Sequence, residues 1–289
     1  MEVSGKEYYD LGFSYLENNE YEKALECFNK AIELNEPAGY NGLAVCYEEG
    51  KGVEQNLQLA NKYYLLSAEK GTPSAMRNIA FQYLNGNGVE KDPTVSVYWW
   101  KKAADEHNDA IAMFNLGYAC AKGIGTNQDY QQAIYWYDKA ARLDNKDALN
   151  NLGFMYYNAV GVQEDEELAA KYYLQAANLG HEGAIYIIAK FYDYEIGVET
   201  NKQEAFNWYL KAAENGVAKA QNRVGLAYAN GKVVEKDDQR AVYWYEKAAM
   251  QGHKEACANL GFCYKFGNGV EKNPGLAYEW CMKSGLGVF

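Results

Sequence analysis

A period of 36 residues governs this chain. A small residue following an apolar one recurs in LAVCY, IAFQY, LGYAC, LGFMY, IAKFY, VGLAY and LGFCY, which places anchors at Ala44, Ala80, Gly117, Gly153, Ala189, Gly225 and Gly261. Their separations are 36, 37, 36, 36, 36 and 36 residues. A repeat of this length is one supersecondary unit that cannot bury its apolar face alone, so copies in register predict a stack in which neighbours complete one another's core. The chain has 289 residues, more than one globular core usually holds, and an array resolves that excess. Only 4 prolines occur and no Ser/Pro-rich, Gly/Ser-rich or single-sign charged stretch interrupts it, so one continuous structure is expected.

Each unit reads as two helices. An alanine lies five residues before most anchors (Ala75, Ala112, Ala148, Ala184, Ala220, Ala256) and an aromatic three after (Tyr47, Tyr83, Tyr156, Tyr192, Tyr228, Tyr264). At about 100° per residue these share one face with the apolar residue preceding the anchor, and that face is the buried stripe of a first helix. A glycine-bearing segment follows (EGKGV, NGNGV, KGIGT, NAVGV, YEIGV, NGKVV, FGNGV), suited to positive φ at a helix end. Twelve residues after every anchor stands an Asx: Asn56, Asp92, Asp129, Asp165, Asn201, Asp237 or Asn273. Such a side chain accepts from the orphan N–H groups of a first turn, so the second helix starts there. Pro93 and Pro274 follow two of these caps at a position that suits proline, and Glu204 lies three after Asn201 as in a capping box. The second helices read YYLLSAEKG, YWWKKAADE, YWYDKAARL, YYLQAANLG, NWYLKAAENG, YWYEKAAMQG and YEWCMKSGLG, aromatics for bulky packing beside small pairs for close approach.

The composite LG..Y..G.GV..D...A..WY.KAA..G resembles the Sel-one-like repeat, a subfamily of the tetratricopeptide repeats, over residues 38–289 in seven copies. Upstream, residues 6–36 resemble one ordinary tetratricopeptide repeat, with Gly12, Tyr15, Tyr21, Ala24, Phe28 and Ala31 at matching places. The departures are local. Cys120 replaces the usual aromatic, Ala159 and Glu195 replace the first loop glycine and Val233 replaces the second, so those loops are expected to differ in shape. The resemblance implies an all-α, right-handed superhelix of eight helix pairs, an α-solenoid. Proteins of this kind act as adaptors in signalling or assembly rather than as catalysts.

Composition narrows the partners. A formal charge of -11 argues against a nucleic-acid binder or an anionic membrane surface, and residues 1–72 alone hold 13 Asp/Glu against 6 Lys/Arg. The opening MEVSGKEYYD has neither a basic nor an apolar leader segment, and nowhere do 18 apolar residues run together, so a cytoplasmic location is expected. Six cysteines (Cys27, Cys46, Cys120, Cys257, Cys263, Cys281) fit no disulfide framework and are read as buried reduced thiols. His181 and His253 lie eight residues before their anchors and His107 lies in another turn, so all three read as turn residues. His253 with Cys257 and Cys263 matches no zinc signature, and neither a GxxxxGK[ST] loop nor a strand-borne GxGxxG is present. No cofactor, metal or catalytic residue is assigned.

The other face of the first helix carries the candidate binding residues. Positions −6, −3, +1, +4 and +5 from the anchor share a sector opposite the buried stripe, the expected concave surface of a two-layer solenoid. Position +1 holds Val45, Phe81, Tyr118, Phe154, Lys190, Leu226 and Phe262, with Phe13 at the matching place upstream. Position −3 holds Tyr9, Asn41, Arg77, Phe114, Asn150, Tyr186, Asn222 and Ala258. We assign Phe81, Tyr118, Phe154 and Phe262 as aromatic anchors for an extended protein or peptide segment, with Arg77, Asn150 and Asn222 reading its polar groups and Phe114, Tyr186 and Lys190 in the same groove. The competing reading packs the rings into the core. In the last six repeats these positions hold Arg77, Lys122, Lys190, Lys219 and Lys265 against Asp147, Asp193 and Glu255, which points to an acidic or carboxylate-bearing ligand. A regulatory subunit or inhibitor of an enzyme would use the same surface. An enzyme acting on a carbohydrate or small molecule would instead need a pocket with convergent polar groups. At the C-terminal end, Ser284 and Gly285 take the places of the paired alanines and no polar capping helix follows, so this end is expected to meet another copy, another chain or further sequence.

Overall fold

The computed structural model describes residues 3–285, which form sixteen α-helices and, among the described residues, no strand. The chain divides into two compact units, one ending at Ala148 and the other beginning at Leu149. The first holds the pairs α1 (Gly5–Glu17) and α2 (Tyr21–Glu33), α3 (Ala38–Glu49) and α4 (Leu57–Glu69), α5 (Pro73–Asn85) and α6 (Pro93–His107), and α7 (Ala110–Lys122) and α8 (Tyr130–Ala141). The second holds α9 (Lys146–Tyr157), whose first turn crosses the boundary, and α10 (Glu166–Asn178), α11 (Glu182–Tyr194) and α12 (Lys202–Glu214), α13 (Ala218–Asn230) and α14 (Asp238–Met250), and α15 (Lys254–Phe266) and α16 (Pro274–Ser284). Within the first unit consecutive helices pack together and α1, α3 and α5 also touch in succession, so the odd helices form one layer there.

Every Asx expected to start a second helix does so. The side-chain oxygens of Asn56, Asp92, Asp129, Asp165, Asn201, Asp237 and Asn273 accept backbone N–H groups of the first turns of α4, α6, α8, α10, α12, α14 and α16. Pro93 and Pro274 open α6 and α16, where a missing N–H costs nothing. Asn201 accepts from the Glu204 N–H at 3.0 Å, while the complete reciprocal box forms at Ser4 and Glu7.

The glycine anchors are small because each faces the residue twenty positions later on its partner helix, a tyrosine ring for Gly117, Gly153 and Gly225 and the Cys281 sulfur for Gly261. A Cβ on Gly117 would lie 2.6 Å from Tyr137, and one on Gly153 would lie 3.0 Å from Tyr173. In the first repeat Gly12 meets Phe28 in the same way, at 2.4 Å. These facing rings are core: Tyr64, Phe28, Trp100, Tyr137, Tyr173, Tyr209 and Tyr245 are all buried. Burial raises the phenol pKa values of Tyr173, Tyr209 and Tyr245 above the ordinary range. The small pairs Ala103–Ala104, Ala176–Ala177, Ala212–Ala213 and Ala248–Ala249 are buried on the even helices.

The loops correct one expectation. Ala159 and Glu195, which replace the first loop glycine, take φ of 53° and 60°, beside 69° at Gly123 and 64° at Gly231. The loop shape is therefore kept there, at the cost of a non-glycine residue in the left-handed region. The second loop glycine is under a stricter demand, because it lies on the first residue of the preceding even helix. A Cβ on Gly125 would stand 2.2 Å from the Pro93 carbonyl oxygen, on Gly197 2.0 Å from that of Glu166, and on Gly269 2.1 Å from that of Asp238.

Candidate functional site

Four of the rings assigned as anchors lie at the surface. In the first unit Phe81 is 39% and Tyr118 45% exposed, and in the second Phe154 is 51% and Phe262 39% exposed. They project from α5, α7, α9 and α15 one residue after an anchor, roughly opposite the buried stripe. Two of the rings have support of different kinds. Phe81 stands edge-on to the buried Trp100 at 5.6 Å, whereas Phe262 stacks on the exposed Phe266 at 6.1 Å. Lys190 takes the ring's place on α11 and is exposed, and Leu226 takes it on α13 and is half-buried.

Position −3 behaves differently from the sequence expectation. Asn222 is 2% exposed, accepts from Asn259 Nδ2 at 2.9 Å and donates to Glu255 at 3.4 Å, so it is not free to read a ligand. Asn41 is likewise buried, accepting from Asn78 at 3.0 Å and donating to the Tyr9 hydroxyl at 3.2 Å. Both pairs follow one rule: an asparagine at −2 of one repeat donates to an asparagine at −3 of the repeat before it. Where one member is missing, the other is stranded. Asn150 Oδ1 is buried without a partner because Ile187 stands where its donor would be, and Asn115 Nδ2 is buried without one because Arg77 stands where its acceptor would be. Arg77 is itself engaged by Asp109, the residue that caps α7. Phe114 and Tyr186 are half-buried against Tyr137 (5.8 Å) and Tyr209 (5.9 Å). The polar readers Arg77 and Asn222 are thus framework residues, and the exposed set reduces to the four rings and Lys190.

Groups with potential chemistry are also accounted for. His181 and His253 do more than occupy turns: each caps a helix, Nδ1 accepting from the Ala184 N–H at 3.0 Å and from the Ala256 N–H at 3.3 Å. The same repeat position supplies Asp109 and Asn145 as caps elsewhere, a recurrence visible in the sequence but not exploited. All six cysteines are buried and unbridged, and burial pushes the thiols of Cys46 and Cys263 up to about 11. Among the described residues no group of three or more His, Cys, Asp or Glu side chains is arranged to hold a metal ion, and no helix is long and apolar enough to cross a membrane. The C-terminal expectation falls partly on residues 286–289, outside the described residues.

The model of the Sel1 repeat matches residues 37–72, 73–108, 110–145, 146–181, 183–217, 218–253 and 254–284, and that of the tetratricopeptide repeat matches 5–36. Among solved structures, c5321, a protective antigen present in uropathogenic Escherichia coli strains and displaying an SLR fold, is 32% identical with a TM-score of 0.87. The match covers 98% of this chain and 62% of that one. A Sel1 repeat protein from Oxalobacter formigenes is 28% identical with a TM-score of 0.69, over 97% of this chain and 82% of that one. Among curated proteins, the ERAD-associated E3 ubiquitin-protein ligase component HRD3B of Arabidopsis thaliana is 36% identical over 74 residues, 25% of this chain. That match spans 11% of the relative's length.

Proposed function

The chain belongs to the Sel1 repeat family, and from that premise we propose that it is a non-catalytic scaffold that holds an extended segment of another protein on the ring-bearing face of its odd helices. Proteins of the family are generally protein-interaction scaffolds. The observation that carries the finer reading is the exposure of Phe81, Tyr118, Phe154 and Phe262 at one repeat position, while the rings facing the anchors are buried. A ring that served only the core would forgo roughly half of its burial at 39–51% exposure, so its retention at the surface favours contact with a partner. A cytoplasmic location belongs to the same proposal, and six unbridged thiols fit a reducing compartment.

The test uses two double variants, Phe81→Ala with Tyr118→Ala in the first unit and Phe154→Ala with Phe262→Ala in the second. A control, Tyr243→Ala, removes an exposed ring from α14 instead. Partners crosslinked in cells are quantified for each. At least one ring variant is expected to keep full helical circular dichroism and lose the partner, since truncating an aromatic anchor often costs about 2 kcal/mol or more of binding. Partner capture retained by both ring variants, or lost equally in the control, overturns the proposal.

A further inference from the structure

An asparagine followed by glycine is open to attack by its own backbone, because glycine has no Cβ to keep the next peptide nitrogen away from the side-chain carbonyl. Six such pairs occur in this chain: Asn41–Gly42, Asn85–Gly86, Asn87–Gly88, Asn215–Gly216, Asn230–Gly231 and Asn268–Gly269. The fold treats them unequally. Attack needs a glycine N–H released from any hydrogen bond, and four of the six are held. Gly42 lies within α3, and the N–H groups of Gly86, Gly216 and Gly231 donate to the Gln82, Ala213 and Ala227 carbonyls at 2.8, 3.0 and 3.1 Å. Among the described residues nothing accepts from the N–H groups of Gly88 and Gly269, and Asn87 and Asn268 are exposed.

One neighbour separates these two. Asn61 on α4 donates from Nδ2 to the Asn87 carbonyl oxygen at 2.6 Å, so the peptide plane between Asn87 and Gly88 is pinned from outside the loop. Asn61 stands 27 residues before Gly88, and the residue 27 before Gly269 is Val242, a buried side chain with no donor. The peptide plane that carries the Gly269 nitrogen is held by no such contact from α14.

We propose that Asn268 is a site of covalent self-modification, the one Asn–Gly pair that both presents its side chain to solvent and leaves its peptide plane unpinned. The Gly269 nitrogen gives up its proton and bonds to Cγ of Asn268, closing a five-membered imide, and the side-chain nitrogen takes a proton and leaves as ammonia. Water then opens the ring. Opening at the side-chain carbonyl restores the chain with aspartate, and opening at the main-chain carbonyl leaves isoaspartate, whose backbone runs through Cβ and Cγ and is one methylene longer. Water is the only co-reactant, and no group changes oxidation state.

A longer backbone has no room at this place. A Cβ on Gly269 would stand 2.1 Å from the carbonyl oxygen of Asp238, the first residue of α14, so the loop already lies against that helix. Phe266, two residues before Asn268, stacks on Phe262 at 6.1 Å, so the change falls beside one of the four exposed rings. Isoaspartate there loosens the packing of the loop on α14. The loss of ammonia is one-way, and the modified fraction therefore records the age of the molecule, whatever the ring face binds.

The full chain is kept folded at mildly alkaline pH and then digested, and the acid and amide forms of each Asn–Gly peptide are quantified by mass spectrometry. Asn268 is expected to convert at least about fivefold faster than Asn87, the factor that one net hydrogen bond gives to a rate, and faster than the four held pairs. Asn61→Val gives α4 the residue found at the same place on α14 and is expected to bring Asn87 to within about twofold of Asn268. In the urea-unfolded wild-type chain all six pairs are expected to convert at similar rates, a comparison that needs no variant to fold. As isoaspartate accumulates, the urea midpoint of the second unit is expected to fall, while fresh Asn268→Asp, which adds the charge without the methylene, and aged Asn268→Gln, whose ring would need one more atom, keep theirs. Conversion of Asn87 as fast as Asn268 overturns the proposal, as does an unchanged Asn87 rate in folded Asn61→Val, the native ranking of the six pairs surviving in urea, or an equal fall of the midpoint in aged Asn268→Gln.

Discussion

A Cβ on Gly225 would stand 2.6 Å from the Tyr245 ring, so these two residues set how closely α13 and α14 approach. Neither can change alone. Replacing Gly225 by Leu is expected to destabilise the second unit by about 1–3 kcal/mol, because the ring is buried within a packed core cluster. Gly153→Leu, whose Cβ would meet Tyr173 at 3.0 Å, is expected to cost less. Urea unfolding followed by circular dichroism measures both, and unchanged midpoints would show that the anchors do not fix the helix approach.

The histidine caps make a second prediction. His253 Nδ1 can accept the Ala256 N–H only while that nitrogen is unprotonated, which fixes the neutral tautomer with its proton on Nε2. His253→Ala is expected to cost about 0.5–2 kcal/mol and His253→Asn to restore most of it, since Asn is a preferred cap. Equal stability of the alanine and asparagine variants would remove the capping role.

Alkaline pH supplies a third. Burial raises Cys46 and Cys263 from an ordinary 9.0 to about 11, so the folded state holds these protons more tightly than the unfolded chain does. Their contribution to stability is complete below pH 9 and is lost as the pH rises through 9 toward 11. The urea midpoint should fall across that window, and less steeply in a Cys46→Ala, Cys263→Ala protein. In native protein at pH 8 both thiols should react slowly with a disulfide reagent, and rapid labelling of either would contradict their burial.

What the sequence revealed depended on whether a feature answers to its own segment or to a neighbour. The Asx caps and the prolines at N1 are local demands, and the small anchors answer a contact inside their own repeat, so all recur at fixed offsets where the structure uses them. Angular position around the helix placed Phe81, Tyr118, Phe154 and Phe262 at the surface correctly. The same reasoning failed for Asn222 and Arg77, because the angle says which way a side chain leaves its own helix but not what the adjacent repeat offers it. Asn259 and Asp109 are the residues that decide. Val233 was visible as a departure, yet nothing in its own repeat shows that the glycines at that position lie against the preceding even helix. The histidine caps were legible in principle, since Asp109 and Asn145 share their repeat position.

The asparagine pairs permit a final prediction that separates a framework role from a ligand-reading one. Asn259 donates to Asn222 at 2.9 Å, whereas Asn150 Oδ1 faces the place of a missing donor occupied by Ile187. Removing Asn259 alone strands a buried acceptor, so Asn259→Ala is expected to cost about 1–3 kcal/mol. Asn222 also donates to Glu255, and a double-mutant cycle on Asn222 and Asn259 isolates the pair, with an expected coupling of about 1 kcal/mol. The reverse experiment installs a donor. Ile187→Asn loses the packing of a half-buried aliphatic side chain, so its raw effect on stability mixes two opposing changes. Comparing it with Asn150 present and with Asn150→Ala cancels the packing loss, and the new pair is then expected to show a favourable coupling of about 0.5–1.5 kcal/mol. Coupling in the first cycle and none in the second would mean that the −2 and −3 positions do not share one geometry along the second unit. No coupling in either would mean that Asn222 is held by Glu255 alone and that the pairing rule is not a source of stability.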